Sequence, residues 1–177
     1  LKSILYVSGG ARSGKSRYAQ ECALELSGRP IYLATAKHWD TEFEARITRH
    51  QADRASNFET IECEKNLASI SGLLEEGTYE GRLIVIDCVT LWLTNYFAGN
   101  QDEDDSTLER IKGDFDVFIR VPAHYIFISN EIGMGLHPES ALGRKFQDVH
   151  GWINQYIASA ADKAIFMVSG IPLTVKG

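Results

Sequence analysis

Apolar residues along this chain gather into short runs: Ile4–Ser8, Ile31–Thr35, Phe58–Ile61, Leu83–Asp87, Tyr125–Ser129 and Ala164–Ser169. The runs beginning at Ile4, Ile31, Leu83 and Tyr125 are nearly continuous rather than alternating. That is the pattern of strands covered on both faces, as in a parallel sheet. Segments of helical period separate them: Ser16–Leu26, Thr41–Arg54, Asn66–Glu76, Val89–Phe97, Thr107–Val121 and Glu139–Ala161. Thr41 with Glu44 three residues later reads as a capping box, and Pro122 ends the helix before it. In the last segment Leu142, Phe146, Val149, Ile153, Tyr156, Ile157 and Ala160 form one apolar stripe. The alternation predicts an α/β fold, a mainly parallel sheet with helices on both faces, in a single domain over 1–177. Gly99–Ser106, with its acidic stretch, reads as an exposed loop. The pattern does not encode strand order.

Composition narrows the function classes. The chain has 177 residues, 44% hydrophobic and 24% charged, with a formal net charge of −6. An acidic chain of this kind is not a general binder of nucleic-acid backbones. Cys22, Cys63 and Cys88 are far apart and form no C-x-x-C pair, so reduced thiols in a cytoplasmic protein are expected. No apolar run approaches the roughly 20 residues that span a bilayer, and Leu1–Ser8 reads as a first strand rather than a signal peptide.

The chemistry begins at Gly9-Gly10-Ala11-Arg12-Ser13-Gly14-Lys15-Ser16, which satisfies G-x-x-x-x-G-K-S between a strand and a helix. Glycines let the backbone wrap a phosphate closely. Lys15 is placed to reach the β- and γ-phosphates, Ser16 to bind Mg2+, and the helix adds its positive end. Leu83-Ile84-Val85-Ile86-Asp87 is a hydrophobic strand ending in a carboxylate, the form of a Walker B element, so Asp87 is the second expected magnesium ligand. Together they predict binding of a nucleoside triphosphate with magnesium.

A second cluster lies at Arg46-Ile47-Thr48-Arg49-His50-Gln51-Ala52-Asp53-Arg54. On a helix, Arg46, His50 and Arg54 stack on one face. Guanidinium groups suit phosphate oxygens, and nearby positive charge keeps the imidazole neutral and nucleophilic. The residues alone are compatible with a covalent nucleotidyl-histidine or with a solvated basic helix. A kinase for another small molecule and a nucleotide-dependent switch fit them as well. Glu62 is either a ribose-binding acid or a surface one. His38, His124, His137 and His150 show no metal-ligand spacing and are assigned no chemistry, and Trp92, Tyr96 and Phe97 read as core.

In order along almost the whole chain, several blocks resemble the bifunctional adenosylcobinamide kinase / adenosylcobinamide-phosphate guanylyltransferase family of cobalamin biosynthesis. They are Gly9–Ser16, Tyr32-Leu33-Ala34-Thr35-Ala36, Arg46-Ile47 with His50, and Cys88-Val89-Thr90-Leu91-Trp92-Leu93-Thr94-Asn95. Ser129-Asn130-Glu131-Ile132-Gly133-Met134-Gly135 and Val168-Ser169-Gly170-Ile171 complete the set. The resemblance implies that a nucleoside triphosphate, ATP or GTP, phosphorylates the aminopropanol hydroxyl of adenosylcobinamide. GTP then donates GMP to that phosphate through a guanylylated histidine, His50 here. It further implies nucleotide contacts at Gly9–Ser16, Ala34, Thr35, Ala36, Gln51, Ala52, Asp53, Arg54, Glu62 and Asp87, and assembly as a homotrimer. The chain departs from the family pattern at Ala55, where members often carry proline.

Overall fold

The computed structural model describes residues 2–36, 57–72, 83–97 and 104–177. The expected helix Thr41–Arg54, with His50 and its arginines, lies outside the described residues.

The strands are β1 (Ser3–Gly9), β2 (Ile31–Ala34), β3 (Glu59–Glu62), β4 (Leu83–Asp87), β5 (His124–Asn130), β6 (Lys163–Val168) and β7 (Ile171–Lys176). They form one sheet in the order β3-β2-β4-β5-β1-β6-β7. All described pairings are parallel except the last, where β7 runs antiparallel to β6. The helices are α1 (Lys15–Leu26), α2 (Val89–Phe97), α3 (Asp104–Phe118) and α4 (Ala141–Ala160), with a 3-10 turn at Leu67–Ile70.

The continuous apolar runs have the two-faced burial expected of them. On one face Val7, Val85, Ile126 and Ile128 pack with Ala19 and Ala23 of α1. Those alanines bring the helix close to the sheet, and a larger side chain there would overpack it. On the other face Tyr6, Ile84, Ile86 and Phe127 pack with Trp92, Phe115, Phe118 and Ile153 from α2, α3 and α4. Trp92 and Tyr96 are core, as their helical spacing suggested. All three cysteines are free, and burial pushes the thiols of Cys63 and Cys88 up to about 11 and about 12, as befits inert core sulfur.

Of the expected helix Asn66–Glu76, residues 67–72 are helical and open with the 3-10 turn Leu67–Ile70, while residues 73–76 lie outside the described residues. Two expectations are corrected. α3 covers Asp104–Phe118, so residues 104–106 are helical where a loop was expected. On α4 Val149, Ile153 and Ile157 are buried, but Leu142 is 50% exposed and Ala160 is also exposed. The buried face is turned to take in His150 and Asn154 instead. β7 was not expected at all. Its side chains are exposed along its length, so no burial pattern marks it.

Candidate nucleotide site

The predicted cradle leaves the C-terminal end of β1 and runs into α1, in the strand–loop–helix order that the motif requires. Its backbone uses conformations that side chains resist: Arg12 and Gly14 have φ of 56° and 93°. Gly9 has φ of 153°, and a Cβ there would lie 2.7 Å from the carbonyl oxygen of Met167 and 2.9 Å from Ser13 Oγ. Only glycine fits. Lys15 is 7% exposed, and its Nζ donates to the Gly10 carbonyl at 2.6 Å. The ammonium is therefore held inside the loop rather than extended into solvent.

The loop is braced from two sides. The N–H of Glu131 donates to the Gly9 carbonyl at 2.9 Å, and the N–H of Gly170 donates to the Ser13 carbonyl at 3.0 Å. Gly170 belongs to the turn between β6 and β7, where Ser169 and Gly170 both have positive φ, 52° and 85°. That is the geometry of a two-residue hairpin turn matched to strand twist. The closing Val168–Ile171 block is thus a hairpin that supports the cradle.

The remaining described candidates line the same edge of the sheet, where ligands of open α/β sheets bind. Ala34 is in register with both Asp87 and Glu62. Thr35 Oγ1 accepts from the Cys88 N–H at 2.7 Å, and Asn95 Nδ2 donates to the Thr35 carbonyl at 2.8 Å. These bonds tie the Ala34–Ala36 segment to the end of β4. β5 lies between β1 and β4, so Asp87 stands about two strand spacings, ~10 Å, from the cradle strand. Exposed Glu62 stands four spacings away, about 19 Å, out of range of the phosphates. Gln51, Ala52, Asp53 and Arg54 lie outside the described residues.

Of the residues expected to hold a cation, Ser16 lies at the head of α1, and Asp87 has its Oδ2 accepting from the Tyr32 hydroxyl. A carboxylate has several lone-pair sites, so that bond leaves capacity for a cation. Among the described residues no three His, Cys, Asp or Glu side chains cluster to hold a metal.

Sequence reasoning missed a buried polar network beside the cradle. Asn130 is in register with Gly9. Its backbone N–H and its Nδ2 donate to Thr90 Oγ1 at 3.0 and 3.1 Å. Thr90 Oγ1 lies 3.0 Å from His150 Nε2, and Ser129 Oγ donates to Asn154 Oδ1 at 2.7 Å. His150 is 1% exposed, and burial pushes its pKa down to about 4, so the ring is neutral. His150 Nδ1 lies 3.3 Å from Asn154 Nδ2, so both ring nitrogens have a hydrogen-bond partner. The network fixes the end of β5 against α2 and α4. The available signal was the polar Ser-Asn pair ending an apolar strand.

A glycine-rich loop at the head of a helix, closed around a buried lysine, is how α/β proteins hold a triphosphate, and this is a P-loop protein of that class. Residues 5–175 match the family described as "Cobinamide kinase / cobinamide phosphate guanyltransferase", and the chain belongs to that family. It is 35% identical to the "Bifunctional adenosylcobalamin biosynthesis protein CobP" of Pseudomonas aeruginosa, over 97% of this chain and 96% of that protein. The proteins named "Bifunctional adenosylcobalamin biosynthesis protein CobU" of Escherichia coli and Salmonella typhimurium are 34% and 35% identical, over 98% of this chain and 99% of each relative. No helix among the described residues is long and apolar enough to cross a membrane.

Proposed function

We propose that this chain carries out both reactions of its family: phosphorylation of adenosylcobinamide by a nucleoside triphosphate, then transfer of GMP from GTP to the new phosphate. The observation that carries the reading is the braced cradle with Lys15 held inside it, on the same strand-end edge as Thr35 and Asp87. Lys15 and the head of α1 offset charge on the phosphates. Mg2+, when bound, would be held by Ser16 and Asp87 and would neutralise further charge there. Glu62 and Gln51–Arg54 are taken as further nucleotide contacts, as the family resemblance implies.

In the transfer step an imidazole nitrogen of His50 attacks the α-phosphorus of GTP. A P–N bond forms, the bond from the α-phosphorus to the bridging oxygen breaks, and pyrophosphate leaves with the electron pair. A phosphate oxygen of the corrinoid then attacks the same phosphorus, the P–N bond breaks, and the imidazole is regenerated. Arg46, Arg49 or Arg54 supplies a guanidinium for the phosphate oxygens. The three unpaired cysteines support a cytoplasmic setting.

The test is intact mass after incubation with GTP and Mg2+. The wild type gains one GMP that is labile in acid and stable in base, whereas His50→Ala gains none and retains cobinamide-dependent nucleotide consumption. A normal adduct on the His50→Ala variant removes that residue from the mechanism.

A further inference from the structure

We propose that the corrinoid substrate docks in the pocket between the loop of residues 131–140 and the outer face of α4. The proposal rests on the kinase and guanylyltransferase reading above and adds the place of the acceptor.

The loop begins at the cradle, since Glu131 is the residue whose N–H holds the Gly9 carbonyl. It is fastened to α4 by Gln147, whose Nε2 donates to the Ile132 carbonyl at 3.1 Å. Between loop and helix lies a cavity of about 310 Å³. Gly133, Gly135 and Gly151 leave its walls as bare backbone, and Asp148, Trp152 and Gln155 supply side chains. Asp148, Trp152 and Gln155 recur at i, i+4, i+7 and share one face of the helix. That face is turned from the sheet, against which Val149, Ile153 and Ile157 pack.

The composition of the pocket selects its ligand. Trp152 is 47% exposed at the cavity, a large apolar surface left half in water on an otherwise ordinary helix face. The described lining residues include neither lysine nor arginine. The pocket's polar groups are carboxamides, the His137 imidazole, backbone and one carboxylate. A corrinoid is a broad, flat macrocycle fringed with carboxamide arms, and an alkylated cobalt(III) corrinoid carries net positive charge. Carboxamides pair with carboxamides, an indole face covers a flat ring edge, and Asp148 complements the charge. The cavity is smaller than the macrocycle and takes one edge of it. The exposed side chains of Met134 and Leu136 extend apolar surface along the same loop. An acceptor seated here lies at the end of the loop that starts beside the triphosphate cradle.

The experiment is equilibrium dialysis of adenosylcobinamide, in dim light and without nucleotide, on the wild type, Trp152→Ala, Gln155→Ala and Trp152→Phe. GTP binding and the sedimenting mass of each variant are measured in parallel. Truncating a central aromatic anchor is expected to weaken corrinoid binding about tenfold or more, and the retained ring in Trp152→Phe to hold it within about threefold. GTP affinity stays within about threefold of wild type. Unchanged corrinoid affinity in both alanine variants overturns the proposal. So does an equal loss of GTP binding, or a fall in sedimenting mass, which would mark the face as covered by a second copy. If the wild type binds corrinoid and consumes nucleotide with it while the variants match it, only the docking site is wrong. If the wild type does neither, the functional reading falls as well.

Discussion

His150 shows how a single buried ring ties stability to pH. The ordinary imidazole pKa is 6.5, and burial pushes this one down to about 4. Above pH 6.5 the ring is neutral in both folded and unfolded chains. Between 6.5 and 4 the unfolded chain takes up a proton that the folded one refuses, so stability falls as the pH falls through that window. The contribution is on the order of 3 kcal/mol for the full shift. Urea titrations of the wild type and His150→Gln between pH 7 and 4 should show a shallower loss in the variant, although it is less stable at pH 7. Carboxylates titrate in both proteins, so the difference in slope isolates the imidazole. Parallel curves would mean that the ring is not held neutral by the fold.

At the level of elements, Asp114 joins three parts of the chain. It lies on α3 and is largely buried. Its carboxylate accepts from the Leu67 N–H at 2.8 Å, the Ala68 N–H at 2.7 Å and the Tyr96 hydroxyl at 3.1 Å. The first two are N–H groups of the 3-10 turn that have no partner within it. Asp114→Ala strands those donors and should cost about 2–4 kcal/mol by chemical denaturation. Asp114→Asn keeps an acceptor oxygen and should cost less. Equal losses in the two variants would show that packing, and not the hydrogen bonds, sets the cost. The expected helix Asn66–Glu76 opens as a 3-10 turn, with residues 71 and 72 helical after it. Its apolar spacing is real, with Leu67 and Ile70 buried, but a side chain distant in sequence decides how its backbone groups are satisfied.

For the whole molecule, the order β3-β2-β4-β5-β1-β6-β7 places the acidic strand β4 one strand removed from the cradle strand, with β5 between. The Ser129-Asn130 pair therefore stands next to the cradle and Asp87 does not. The exposed outer strand β7 carries Ile171, Leu173 and Val175 in water, which is unusual for a sheet edge left uncovered. Homotrimer assembly, proposed here from the family resemblance, is checked by sedimentation equilibrium. The expected species contains three chains of 19.7 kDa each, and a concentration-independent single-chain mass would refute it.

The cradle, the acidic strand and the two-faced sheet were legible in the sequence because each is local. Eight neighbouring residues suffice to set the glycine conformations and the lysine of Gly9–Ser16, and a continuous apolar run reports burial on both faces without reference to any partner. What tertiary structure decided was adjacency: Asn130 level with Gly9, the Ser169-Gly170 turn against Ser13, and His150 closed in by Thr90 and Asn154. Helical period could not identify His150 as a buried residue, since an imidazole is apolar or polar according to what surrounds it. Those surroundings come from Thr90 and Ser129, 60 and 21 positions away along the chain, and only folding brings them within hydrogen-bonding distance.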